Sequence, residues 1–150
     1  MRTLILGYGN PDRNDDGAGW AVIEALRANP PTDAELDTAQ QLEVELAERI
    51  TEFDLVVFVD AAVPESPEPL AVVEVAPAWK PHATAHHLAP ADLLALAETL
   101  YGKKPRAVLV KIRGHDFHFG STLSPETHAS VDEATRRIRA LLATEPKTEG

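Results

Sequence analysis

The chain contains no cysteine. Disulfides, a thiol nucleophile and a thiolate metal site are therefore excluded, and any metal must be held by oxygen and imidazole ligands. Positive charge is scarce too: 14 Lys and Arg stand against 24 Asp and Glu, a formal net charge of -10. So acidic a surface disfavours nucleic acid and anionic membrane as main partners and suits a metal ion or a cationic partner. No apolar run approaches the roughly 18 residues needed to span a bilayer. The opening MRTLILGYGN has too short an apolar stretch for a secretory signal and reads as a strand entering glycines, so a cytoplasmic protein is expected. Internal repeats and low-complexity segments are also lacking.

The rest is an ordinary globular composition, 44% hydrophobic and 25% charged over 150 residues. That length suits one domain, expected to occupy residues 1–144, with 145–150 as a frayed tail. Thr3 to Leu6 read as a buried strand ended by Gly7-Tyr8-Gly9-Asn10. Ala18 to Ala28 carry apolar residues at helical spacing and stop at Asn29-Pro30-Pro31. Ala34 to Ala39 is a strand candidate, and Glu43 to Ile50 a short helix with Val44, Leu46, Ala47 and Ile50 available to the core. Leu55 to Val59 is continuous and mostly β-branched, as a central parallel strand should be. Asp60-Ala61-Ala62 is expected to end it. Leu70 to Val75 and Ala107 to Ile112 are further strands. Ala91 to Tyr101 is a helix closed by Gly102, and a last helix runs from the Ser124 cap to about Ala143. This alternation predicts an α/β fold in three layers: a mostly parallel, five-stranded twisted sheet with helices on both faces.

In such a sheet the carboxyl ends of the strands share one crevice, where ligands bind. Asp16 follows the first strand and its loop, Asp60 follows the central strand, and His86 lies in a His-His pair ahead of a helix. Two oxygens and a nitrogen converging there would hold a divalent metal with positions left open. The rival reading of each is mundane: Asp15 or Asp16 capping the next helix, Asp60 capping a turn, the His pair lying in a surface loop. His82, His115, His118 and His128 are weaker candidates, and Glu24 and Glu43 read as solvated helix residues. The glycine turn invites a dinucleotide reading, but its third glycine position holds Asp12, and Asp15 and Asp16 would repel a pyrophosphate.

Taken in order, Gly7-Tyr8-Gly9-Asn10, Asp15-Asp16-Gly17, Val59-Asp60-Ala61, a histidine before a helix and the late Gly120-Ser121-Thr122-Leu123-Ser124 stretch resemble the hydrogenase maturation proteases. The resemblance covers the chain from Leu4 to about Leu142. It implies a cytoplasmic endopeptidase that removes a short C-terminal extension from the large-subunit precursor of a nickel-iron hydrogenase after nickel insertion. Carried over residue by residue, it implies that Asp16, Asp60 and His86 bind metal and carry the reaction, with Gly9, Asn10, Asp15 and His87 in support. His87 remains an alternative to His86. The metal would be nickel seated in the precursor, with zinc or cadmium able to occupy the site in isolation, and the enzyme would act as a monomer. Many members carry an Asp-Gly-rich segment after the second strand. Here that region reads Leu36-Asp37-Thr38-Ala39-Gln40-Gln41-Leu42, which leaves the class of hydrogenase open.

Two sources of the attacking water remain at this point, one bound to the metal and one activated by Asp16 or Asp60. The main rival is a receiver-like phosphoacceptor module built on Asp15, Asp16, Asp60 and Lys111. Against it, a long Gly7–Asn14 loop precedes the acidic pair, Ile112 rather than proline follows Lys111, and His86 has no role.

Overall fold

The computed structural model describes residues 1–79 and 88–144. Five strands, β1 (Thr3–Tyr8), β2 (Ala34–Ala39), β3 (Leu55–Ala62), β4 (Leu70–Val75) and β5 (Arg106–Arg113), form one sheet in the order β2-β1-β3-β5-β4. The helices are α1 (Ala18–Arg27), α2 (Leu46–Ile50), α3 (Pro90–Tyr101) and α4 (Pro125–Thr144), and a 3-10 turn at Asn14–Gly17 leads into α1. The pairs β1–β2, β1–β3 and β3–β5 are parallel. Strand β4 runs antiparallel to β5 at the edge. The proline-rich Val63–Pro69 link explains the reversal, because a parallel return needs a crossover of a dozen or more residues.

Alternation along each strand divides the core into two layers. On one face Ile5, Val57, Val59, Val110 and Ile112 pack against Val22, Ile23 and Leu26 of α1 and Val131, Ala134 and Ile138 of α4. On the other Leu4, Leu6, Val56, Phe58 and Ala107 pack against Ala47 and Ile50 of α2 and Leu93, Leu94 and Ala97 of α3. Side chains of successive residues point to opposite faces, so β3 is apolar throughout because both of its faces are covered.

Three expectations need correction. Asp60 does not end its strand: β3 continues to Ala62, pairing Asp60 with Lys111 and Ala62 with Arg113 after its pairing with β1 has stopped at Val59. The helix expected from Glu43 begins at Leu46, because Leu46 and Ala47 donate to the carbonyls of Glu43 and Val44 in tight i to i+3 turns. Val44 accordingly lies exposed rather than in the core. The other strand and helix positions agree with the sequence reading to within two residues at each end. No helix among the described residues is long and apolar enough to cross a membrane.

Candidate functional site

The strand order reverses direction at β1, which lies between β2 and β3, and a crevice at the carboxyl ends of these strands is the expected consequence. A cleft of about 810 Å³ occupies that position. Its polar groups are Tyr8, Asn10, Asp16, Gln40, Gln41, Asp60 and Lys111, and Leu42, Val63, Leu88 and Leu109 supply apolar wall.

Three of these polar residues continue the alternation of the α2–α3 core beyond the helices. Leu4 and Leu6 lead to Tyr8, Val56 and Phe58 to Asp60, and Ala107 and Leu109 to Lys111. Past the end of the helix layer the same face becomes the cleft floor. Tyr8 also packs edge-on against Phe58, with ring centroids 6.5 Å apart.

Asp16 reaches the cleft from the 3-10 turn. The chain folds back at Gly9, whose φ of +135° favours glycine and whose added Cβ would lie 2.3 Å from the Asp16 carbonyl oxygen. This close approach lets the Asn10 N–H donate to Asp16 Oδ2 at 2.7 Å. The Asn10 side chain in turn accepts from the Asp12 N–H at 2.9 Å. Gly9 and Asn10 therefore hold the Asp16 carboxylate in place.

Burial drives the Asp60 carboxyl up to about 7 from its ordinary 3.8, and the nearby Asp16 charge adds to the rise. Hydrogen bonds from the Tyr8 hydroxyl and the Ala61 N–H, together with the Lys111 charge, oppose it. Burial also raises Tyr8, helped by the Asp60 charge, so its hydroxyl keeps its proton and remains a donor. The two carboxylates are thus close enough to feel each other inside one partly buried cleft.

Asp15 does not perform the capping that the rival reading allowed it. Neither Asp15 nor Asp16 caps a helix: the residue preceding α1 is Gly17, with no side-chain cap. Asp15 is fully buried and accepts hydrogen bonds from the N–H groups of His115, Asp116 and Ser124 and from the Ser124 hydroxyl. Burial alone would raise its carboxyl, but these donors outweigh it and hold Asp15 below the usual range. The late glycine stretch is drawn onto the same turn: Asn14 donates to the Gly120 carbonyl at 2.7 Å, and Thr122 donates to the Asn14 side chain at 3.1 Å.

This arrangement also removes the receiver-like rival. Asp15 is used up in the frame, and the order 2-1-3-5-4 with an antiparallel edge strand differs from the all-parallel 2-1-3-4-5 order of receiver modules.

His82, His86 and His87 lie outside the described residues. Leu88, Ala89 and Pro90, which follow them directly, line the cleft. His115 and His118 are exposed in the loop before α4, with His118 Nδ1 2.8 Å from Asp116. His128 is exposed on α4. Among the described residues no three His, Asp or Glu side chains form a metal-holding group. Two cleft residues had no site role in the metal reading: Tyr8, and Lys111, which figured only in the rival. Their signal was available in the period-two continuation of β1 and β5.

Comparison with solved structures gives this architecture close counterparts. The hydrogenase maturating endopeptidase HybD from Escherichia coli aligns with a TM-score of 0.79 at 23% identity, over 95% of this chain and 93% of its own. The NiFe hydrogenase maturation protease HycI from Thermococcus kodakarensis aligns at 0.72 and 23% identity, over 95% and 93%. HybD from Thermococcus kodakarensis aligns at 0.69 and 23%, over 94% and 99%. At these identities the likeness establishes a shared fold. No protein-family model matches the chain, and no curated protein matches it in sequence.

Proposed function

We propose that this chain is a processing endopeptidase that removes a C-terminal extension from the nickel-loaded large-subunit precursor of a nickel-iron hydrogenase. The observation that carries the reading is the convergence of Asp16 and Asp60 on one open cleft, in a fold shared with hydrogenase maturation endopeptidases. His86 would complete the set, with His87 as its alternative. The chain would act in the cytoplasm, as a monomer whose cleft takes the tail of another protein.

The donor chemistry fits the cargo. Carboxylate and imidazole suit a divalent ion such as nickel, and zinc or cadmium would bind the same set in isolation. Asn10 occupies Oδ2 of Asp16 and leaves Oδ1 without a donor among the described residues. Asp60 keeps its ionised form accessible near neutrality through Tyr8, the Ala61 N–H and Lys111. Nickel in the precursor would supply a fixed positive charge that attracts both carboxylates and sets the position of the peptide beside them. A carboxylate of the pair would then take the proton of the attacking water. Gln40 and Gln41 offer amide donors and acceptors along the wall for an extended backbone.

The test is processing of nickel-loaded precursor by Asp16→Ala and His86→Ala, followed by the loss of mass at the C-terminus. Both variants are expected to lose processing while remaining folded. Normal rates for both would refute the assignment.

A further inference from the structure

We infer that Lys111 is a catalytic residue of the proposed cleavage, its ammonium holding the scissile carbonyl oxygen as that oxygen gains negative charge. This rests on the peptidase reading above and extends it to a residue outside the carboxylate and histidine set.

The placement follows from the sheet. Lys111 is the Cα partner of Asp60 in the parallel β3–β5 pair, so both side chains leave the same face from strands about 4.8 Å apart. Lys111 lines the same cleft as Asp16 and Asp60, and among the described residues of that cleft it is the only cation. Several other cationic side chains among the described residues serve surface ion pairs, such as Arg49 with Asp37 and Lys104 with Glu98. Lys111 makes no ion pair of that kind among the described residues, although it lies half-buried on an acidic protein. A half-buried cation beside a carboxylate able to activate water is the arrangement that peptide hydrolysis uses: a base on one side of the carbonyl and a fixed positive charge on its oxygen. Tyr8 is less suited to that oxygen, because its hydroxyl is engaged with Asp60.

The step balances without a redox partner. Water adds to the carbonyl carbon, the π pair of the C=O bond moves to oxygen beside the Lys111 ammonium, and a water proton passes to a cleft carboxylate. Collapse re-forms the C=O bond, breaks the C–N bond and delivers that proton to the departing nitrogen. The products are a new C-terminal carboxyl group and the free amine of the released extension, and Lys111 stays charged throughout.

The experiment compares wild type, Lys111→Met and Lys111→Arg on nickel-loaded precursor, with kcat and KM determined separately and thermal unfolding as a control. Removing one stabilising donor of this type lowers kcat by about 100-fold or more. The methionine variant is therefore expected to lose that factor in kcat with KM little changed, and the arginine variant to recover part of it. Should the methionine variant fail to fold, Lys111→Gln gives the same reading. A Lys111→Met enzyme that turns over as fast as wild type overturns the inference, as does a loss confined to KM, which would make Lys111 a binding contact only. The wild-type control separates two failures: if wild type does not cleave, the peptidase reading falls and this inference with it; if wild type cleaves and the variant matches it, only the role of Lys111 falls.

Discussion

Asp15 accepts two hydrogen bonds from Ser124 across 109 positions of sequence, from the backbone N–H at 2.7 Å and from the hydroxyl at 2.8 Å. The same carboxylate takes the N–H groups of His115 and Asp116. One buried side chain therefore clamps the loop before α4 onto the 3-10 turn that carries Asp16. Two adjacent carboxylates divide the work, Asp15 holding the frame and Asp16 facing the cleft.

Loss of the clamp should be costly. Hydrogen bonds to a charged acceptor contribute about 1.5 to 3 kcal/mol each, and stranded buried donors add to the cost of removal. Asp15→Ala is expected to destabilise the chain by about 3 kcal/mol or more, and Ser124→Ala by about 1 kcal/mol. Urea denaturation of both variants and of the double variant would also give their coupling. A cost for Asp15→Ala no greater than for the exposed Glu24→Ala would show that the clamp is idle.

Helix α1 sits on the sheet through glycine. A Cβ on Gly19 would lie 2.5 Å from the Val59 carbonyl oxygen and 3.0 Å from the Tyr8 nitrogen. Gly19→Ala must push α1 away from the strands that carry Tyr8 and Asp60, at a cost of roughly 1 to 3 kcal/mol. Gly102→Ala meets open space and bears only its left-handed backbone, with φ +68°, about 1 to 2 kcal/mol. Precursor processing should therefore weaken in the first variant and persist in the second. Equal processing by both would count against tight α1 packing as a support of the site.

The Asp60 carboxyl, raised from 3.8 to about 7, keeps its proton in the folded chain where the unfolded chain releases it. Folding thus takes up a proton between about pH 4 and pH 7, and stability falls as pH rises through that window. The ionisable groups that act on it are Tyr8, Asp16 and Lys111. Asp15 and Asp37 are shifted downward, so their contributions are lost only as pH falls below about 4, outside this window. Metal-free wild type is expected to lose stability between pH 5 and pH 8 relative to Asp60→Asn. Tyr8→Phe should move the Asp60 titration higher still, followed by carboxyl carbon NMR. A constant difference between wild type and Asp60→Asn across that range would contradict the shift.

The sheet was legible because its strands carry clean signals. Leu55 to Val59 is continuous and mostly β-branched, as a strand buried on both faces should be, and Gly102 stops α3 where the sequence places the stop. The antiparallel sense of β4 was not visible in its own residues, since it follows from the length of the link before it. At the site, Asp16 and Asp60 were readable from strand ends and loop chemistry. The separate task of Asp15 was hidden, because its partners lie about a hundred positions away in the chain. Tyr8 was missed, and Lys111 was read only in the receiver-like rival, for another reason: each ends a run of apolar residues at period two, and only the end of the helix layer turns that face into a cleft.

In the proposed function, Asp16 and Asp60 read nickel already held by another protein. The most direct measurement is cleavage of purified large-subunit precursor, nickel-loaded and nickel-free, side by side, by wild type and by Asp16→Ala. Wild type is expected to shorten the loaded precursor alone, and Asp16→Ala to shorten neither. Equal cleavage of both precursors by wild type, or undiminished cleavage by Asp16→Ala, would contradict it.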